Sequence, residues 1–354
     1  MITGYLLKLA RESTGLSQEA LAEQLGADAG TVQGWETARR PFTSVGVGKA
    51  VSIRHRMLRL GANPVTLAAL DDAAEADWLL TEIAEAGTSP PNVTAHPLGH
   101  LVLTHRLADL VSWAITAVPP GQFADQAQAS RRGPSAPAPQ LDAGQKAAFF
   151  AGLQAAAEHA AGRDDPLLLH RQACYLAGMD PALATWLSTV ATRSEYFVRP
   201  RKWTPQWADA RSVATGLARQ GDPEPLRAFI RHNTDRSTEL AALNYGAYWA
   251  GEFGQQQSGD QFMTDPNSGW RGAKLLRHIV DRLTPGHGFL DLNVHTLWSL
   301  LLERRAVIHD DPATSRTLAR RGAQLLDQPD VISPQSSTEL TSVLYGLRAE
   351  GISA

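Results

Sequence analysis

The residues able to do chemistry are few, and most do not assemble into a reactive set. His96, His100 and His105 recur at roughly helical spacing, and Asp291 and His295 stand four apart with His287 nearby. Such pairs suit zinc, but a metal site wants a third ligand at matching spacing. Cys174 is the single cysteine, which excludes a disulfide framework and an all-cysteine zinc site. Its segment, 167–179, reads as apolar helix interior, where a thiol is a poor nucleophile. Gly46-x-Gly48-Lys49 lacks the earlier glycine, the following Ser/Thr and the preceding strand of a phosphate loop. With no convincing pair of carboxylates and no nucleophile–base spacing, the sequence reads as a non-enzyme without metal or cofactor.

Aromatic residues offer binding rather than reaction. Trp203 and Trp207 flank Pro205 and follow Arg199, Arg201 and Lys202; Tyr245, Tyr248, Trp249 and Phe253 form an i, i+3, i+4, i+8 stripe after Asn244. A stripe at helical spacing serves first as core. The same residues could line a pocket for an apolar or aromatic effector, with Arg199, Arg201, Asn244, Tyr245 and Glu252 as polar guides. Residues 254–269 read as a long surface loop that could close over it.

The elements that would position these side chains are helical throughout. Apolar residues recur at helical spacing, and no stretch alternates as a strand would. After residue 140 the pattern predicts helices near 142–161, 164–178, 181–198, 205–220, 223–234, 236–252, 270–283, 289–308, 313–327 and 336–350. Asp-Pro, a good N-cap and first-turn pair, recurs at 165, 180, 222, 265 and 311. The near-regular spacing suits an α-solenoid of helix pairs. Residues 119–140, with five prolines among Ala, Ser and Gln, read as a linker. The fold class is all-α, an amino-terminal domain followed by a helical body. The division is 1–62, an acidic neck at 63–118, the linker at 119–140, and 141–354.

Of the 354 residues, 43% are hydrophobic and 19% charged, with a formal net charge of −3. No run of 18 apolar residues occurs, so a soluble, cytoplasmic protein with no membrane partner is expected. The charge is unevenly placed. Residues 1–60 carry eight Lys/Arg against five Asp/Glu, a net +3; residues 61–118 carry Arg106 against seven acids, a net −6. Partners feel local potential, so a basic head on an acidic neck says more than the total.

The head holds the sharpest pattern. Leu6, Leu7 and Ala10 face one way on a first helix, and Gly15 ends the connection. Ser17 reads as an N-cap, Leu21, Ala22 and Leu25 as a buried stripe, and Gly26 as a left-handed C′ residue. Asp28 would cap a third helix with Val32 and Trp35 inward. Leu16-Ser17-Gln18-Glu19-x-Leu21-Ala22-x-x-Leu25-Gly26, then Thr31-Val32-x-x-Trp35-Glu36 and Arg39-Arg40-Pro41, resembles the lambda-repressor/Cro-type helix-turn-helix, the XRE family of regulators. The resemblance covers about 40 of the 354 residues.

That resemblance implies double-stranded DNA as partner. Gln18 would meet a phosphate at the start of the second helix. A recognition helix from Asp28 to about Thr37 would present Ala29, Gly30, Thr31, Gln33, Gly34 and Thr37 to the major groove. Glu36 looks like the family's structural acid, and Arg39 and Arg40 would reach the backbone. Ala29, Gly30 and Gly34 offer no hydrogen bond to a base, leaving Gln33 and Thr31 for direct readout. Lys49, Arg54, His55, Arg56 and Arg59 on a fourth helix supply further basic contacts. The neck, with Leu70, Trp78 and Leu79 inward, should pack on the head, on 98–118 or on a second subunit. The expected function is a homodimeric, sequence-specific transcriptional regulator with a helical body that senses a small molecule or a protein. The alternative is an α-solenoid interaction scaffold carrying a vestigial helix-turn-helix.

Overall fold

The computed structural model describes residues 1–87, 95–129, 138–161, 167–193, 202–232, 235–328 and 330–352. Every regular element among them is a helix, and none is long and apolar enough to cross a membrane. The chain forms two compact units: Met1–Ser89 with Arg106–Gly152, and Pro90–His105 with Leu153–Ala354.

Unit one contains α1 (Ile2–Ser13), α2 (Gln18–Leu25), α3 (Ala29–Glu36), α4 (Val47–Arg59), α5 (Pro64–Ala68), α6 (Leu70–Ala86), most of α7 (His105–Thr116), α8 (Ala124–Ala129) and the start of α9 (Ala143–Ala160). Local signals set the head's boundaries. The Ala20 N–H donates to the Ser17 hydroxyl at 3.1 Å, and Gly26 ends α2 at φ +63°. Asp28, expected to cap α3, makes no side-chain cap bond. The crossing of α1 over the end of α3 needs Gly4: a Cβ there would lie 2.3 Å from the Trp35 carbonyl oxygen.

Head and neck share one core. The Ile2 and Thr3 N–H groups donate to the Asp77 carboxylate at 2.7 and 3.1 Å, so α6 caps the orphan donors of α1. The Tyr5 ring meets Trp113 of α7 edge-on at 5.3 Å, and Trp113 stacks on Phe123 at 5.7 Å. The expected boundary at residue 62 therefore does not separate two bodies. Nor are 119–140 an open linker over their described part: Phe123 is fully buried, and α8 follows it. Residues 130–137 lie outside the described residues. Trp78 points outward at 46% exposed, while Leu70, Ala73, Ala76, Leu79, Leu80 and Ile83 carry the inward stripe of α6. One residue off the helical repeat turns a side chain away from the core.

Unit two contains the rest of α9, then α10 (Leu167–Ala177), α11 (Ala184–Arg193), α12 (Pro205–Arg219), α13 (Glu224–His232), α14 (Arg236–Trp249), α15 (Ala273–Asp281), α16 (Leu290–Glu303), α17 (Val307–Asp310), α18 (Pro312–Leu326) and α19 (Pro334–Ala349). The predicted helices are present, with α8 and α17 added. The solenoid spacing does not hold as expected. Asp311 caps α18 through the Thr314 N–H, but Asp265 accepts from Asn267 inside a loop and starts no helix. The buried α16 packs against α13, α14, α15 and α19 at once, whereas helix-pair repeats meet only their neighbours. Two apolar clusters fill the unit, one around Leu297, Leu300, Leu318 and Leu340, the other around Trp207, Phe229, Tyr245 and Phe262.

Candidate nucleic-acid interface

Helix α3, expected from the sequence to be the recognition helix, is fixed from below by a charged network. Arg11 donates from Nε and Nη2 to the two carboxylate oxygens of Glu36 at 2.6 and 3.1 Å, and both residues are buried. Arg11 Nη1 also donates to the Leu16 carbonyl at 2.9 Å. Gln18 Nε2 donates to Glu36 at 2.7 Å, tying α1, α2 and α3 to one carboxylate. Such bidentate pairs fix orientation as well as add energy. Glu36 is thus a structural acid, as expected. The Gln18 side chain is committed to it, so only the start of α2 remains for a phosphate.

Above that network the expected contact residues divide. Gly30 and Thr37 are exposed, and Ala29, Thr31 and Gln33 are half-buried along the first turns of α3. Gly34 is buried beneath the Arg40 side chain, 3.3 Å from where its own Cβ would stand, so it is not part of an exposed reading face. Thr37 turns its hydroxyl back to the Gln33 carbonyl at 2.8 Å. Arg39, Arg40, Lys49 and Arg56 are exposed cations, free to meet phosphates. Arg54 is instead paired with Asp71 at 2.9 and 3.1 Å. The acidic neck thus neutralises one cation of the basic helix.

In unit two most of the expected pocket residues have structural work. The Asn244 amide donates to the Met263 and Asp265 carbonyls at 3.0 and 2.9 Å, and its oxygen accepts from Ser268 and Trp270 at 2.7 and 2.8 Å. It pins the expected lid: Phe262 and Met263 are buried, and Asp260 pairs with Arg171. Glu252 accepts from the Lys274 N–H and caps α15. Trp207 is fully buried, and the Tyr248 hydroxyl donates to the Val102 carbonyl at 2.6 Å. Trp203 is half-buried, and Arg199 and Arg201 lie outside the described residues. Tyr245 belongs to the second apolar cluster, and Trp249 packs on it with ring centroids 6.2 Å apart.

The structure also brings the distant Asp209 to His170 and Cys174, which stand one turn apart on α10. His170 Nδ1 meets the Asp209 carboxylate at 2.5 Å, and Cys174 Sγ lies 3.8 Å from His170 Nε2. This is the order of a nucleophile triad, but Cys174 is fully buried and burial pushes its thiol up. Burial alone would lower His170; the bonds to Asp209 and Cys174 more than offset it and raise the imidazole to about 11. The set is a protonated polar bridge between α10 and α12. The candidate metal residues are likewise engaged elsewhere: Asp291 pairs with Arg227 at 2.8 Å, and His295 lies between Glu339 and Glu239.

Residues 4–51 match a family model described as a helix-turn-helix domain. The match covers the head alone. No curated protein and no solved structure matches the chain. An amino-terminal helix-turn-helix on an all-helical chain points to a DNA-binding regulator.

Proposed function

We propose that the chain is a sequence-specific transcriptional regulator of the lambda-repressor/Cro (XRE) type, acting as a homodimer, with unit two as its sensing part. The observation carrying this reading is the juxtaposition on α3. Ala29, Gly30, Thr31 and Gln33 stand along its first turns, with Arg39, Arg40, Lys49 and Arg56 as exposed cations of the same head. Base contacts from a helix in the major groove and phosphate contacts beside it are the two requirements of specific binding.

Two further features favour a dimer. The head's charge of +3 gives one copy weak backbone attraction. Val47, Val51, Leu58 and Val65 are exposed on α4 and α5, the first at 81%, beside a surface groove lined by Val51, Leu58, Pro64 and Ala68. A second copy of the same face would cover them, and a dimer on a two-fold operator needs its recognition helices about 34 Å apart.

The test is a gel shift with genomic fragments over a range of salt. The Arg39→Ala/Arg40→Ala variant should bind at least tenfold more weakly, and its salt slope should fall by about two. Equal binding by the two proteins would overturn the regulator reading.

A further inference from the structure

Arg211 and Arg219 stand two turns apart on one face of α12, and both lie over tyrosine rings. The Arg211 guanidinium is 4.6 Å from the Tyr245 centroid, and that of Arg219 is 4.5 Å from Tyr175. Arg219 donates to the Tyr175 carbonyl and hydroxyl at 3.0 and 2.8 Å. Arg171 also lies over Tyr245, at 5.5 Å, and has a carboxylate in Asp260. No carboxylate among the described residues pairs with Arg211, and its enclosed Nε has no hydrogen-bond partner.

A guanidinium stays charged at neutral pH. Arg211 therefore holds a permanent positive charge among tyrosines with no anion beside it among the described residues, an arrangement that costs stability. Burial pulls its proton affinity down, Tyr245 and Tyr175 oppose that, and Arg171 adds to it. The rings continue outward: Tyr175 meets Trp249 edge-on at 5.5 Å, and Trp249 meets His105 at 5.5 Å. Burial and the Arg282 charge hold His105 near 3, another mark of positive potential in this corner. Arg211, Tyr175, Arg219 and Trp249 are half-buried, so the cluster retains access to solvent.

We propose that this arginine–aromatic cluster is a binding site for a small planar aromatic anion, its carboxylate or phosphate held by Arg211 and its ring against Tyr175 and Trp249. The anion supplies the guanidinium of Arg211 with the counter-charge it lacks, through charge-assisted bonds, and the rings supply apolar area and shape. The proposal rests on unit two being the sensing part and names the chemistry that it senses.

The test titrates the full chain, without DNA, with benzoate and phenyl phosphate. Benzyl alcohol (a ring without the anion), acetate and inorganic phosphate (anions without the ring) are the comparisons. Calorimetry and thermal unfolding read the binding, up to about 10 mM, where a 1 mM site is roughly nine-tenths filled. The ringed anions should bind and raise the unfolding temperature, and the tighter of the two identifies the head group. Arg211→Met should weaken binding at least tenfold while the ligand-free unfolding temperature holds or rises. Arg211→Lys, which keeps the charge and loses the fork, should fall between. The proposal is overturned if neither ringed anion binds, if Arg211→Met binds equally well, or if a comparison compound binds as tightly as benzoate. A failure of DNA binding would appear only in the gel shift, so the two readings fail separately.

Discussion

The side chain of Arg40 lies across Gly34, with its guanidinium 3.4 Å from the Thr31 hydroxyl. The residue proposed to contact phosphate thus rests on the proposed recognition helix. A Cβ at position 34 would press on this exposed, flexible chain, whereas one at position 30 would meet nothing within 4 Å. Each glycine costs the helix about 0.5–1 kcal/mol relative to alanine. Gly30→Ala should therefore stabilise the head by about that amount in thermal unfolding. It should weaken DNA binding in a gel shift if the proposed reading is right, because the added methyl stands on the face proposed to meet the duplex. Gly34→Ala should move Arg40 off Thr31 and change the salt dependence of binding.

Glu36 is the shared acceptor of Arg11 and Gln18. Removing one partner of a buried pair leaves the other charge uncompensated, at a cost of roughly 3–5 kcal/mol. Glu36→Ala should lower the unfolding temperature and abolish DNA binding. Arg11→Met/Glu36→Leu should recover much of the stability, and circular dichroism would show it. Recovery of stability without DNA binding would separate the orienting role from the folding role.

Asp77 reaches α1 from 74 and 75 residues away. Asp77→Ala removes a cap worth about 0.5–2 kcal/mol and should lower the stability of the head without touching any DNA-facing residue. DNA affinity at low temperature should stay within a few-fold of the parent. A large loss there would show that the cap also sets the pitch of the recognition helix.

Opposed histidines give unit two two titrations. His295, held at about 9 by Glu239 and Glu339 against burial, and His170, at about 11, bind protons more tightly folded than unfolded. Their contribution is full below the unfolded value of about 6.5 and fades as pH rises through the folded values. His105 and His278, pushed to about 3 and about 2 by burial and the Arg282 charge, contribute above about 6.5. That contribution is lost as pH falls. Thermal unfolding scanned from pH 4 to 10 should pass through a maximum, and His295→Gln should flatten its alkaline side.

What was legible in the sequence was local. Ser17, Gly26, Val32 and Trp35 announce the head because caps and apolar stripes act within a turn or two. Helices α9 to α16 follow for the same reason. Pairings between distant residues were not legible: Asp77 with Ile2, Asp209 with His170, Arg211 with Tyr245. No spacing rule links positions 34 or more apart, and Asp77, Asp209 and Arg211 each read by themselves as surface charges. Phe123 was hidden differently, as one aromatic in a proline-rich stretch whose composition says linker while its packing against Trp113 says core. Asn244 looked like a pocket's polar guide because a buried amide and a ligand-binding amide are the same residue type until its partners are known.

The cap from Asp77 and the packing of Tyr5 on Trp113 also set a clock. Synthesis runs at roughly 5–20 residues per second, so the first helix emerges on the order of ten seconds before its last partner in the chain does. Until then Leu6, Leu7 and Leu9, buried in the finished unit, lack the cover of the later helices. The helix-turn-helix is thus made ahead of the later helices of unit one that complete its core.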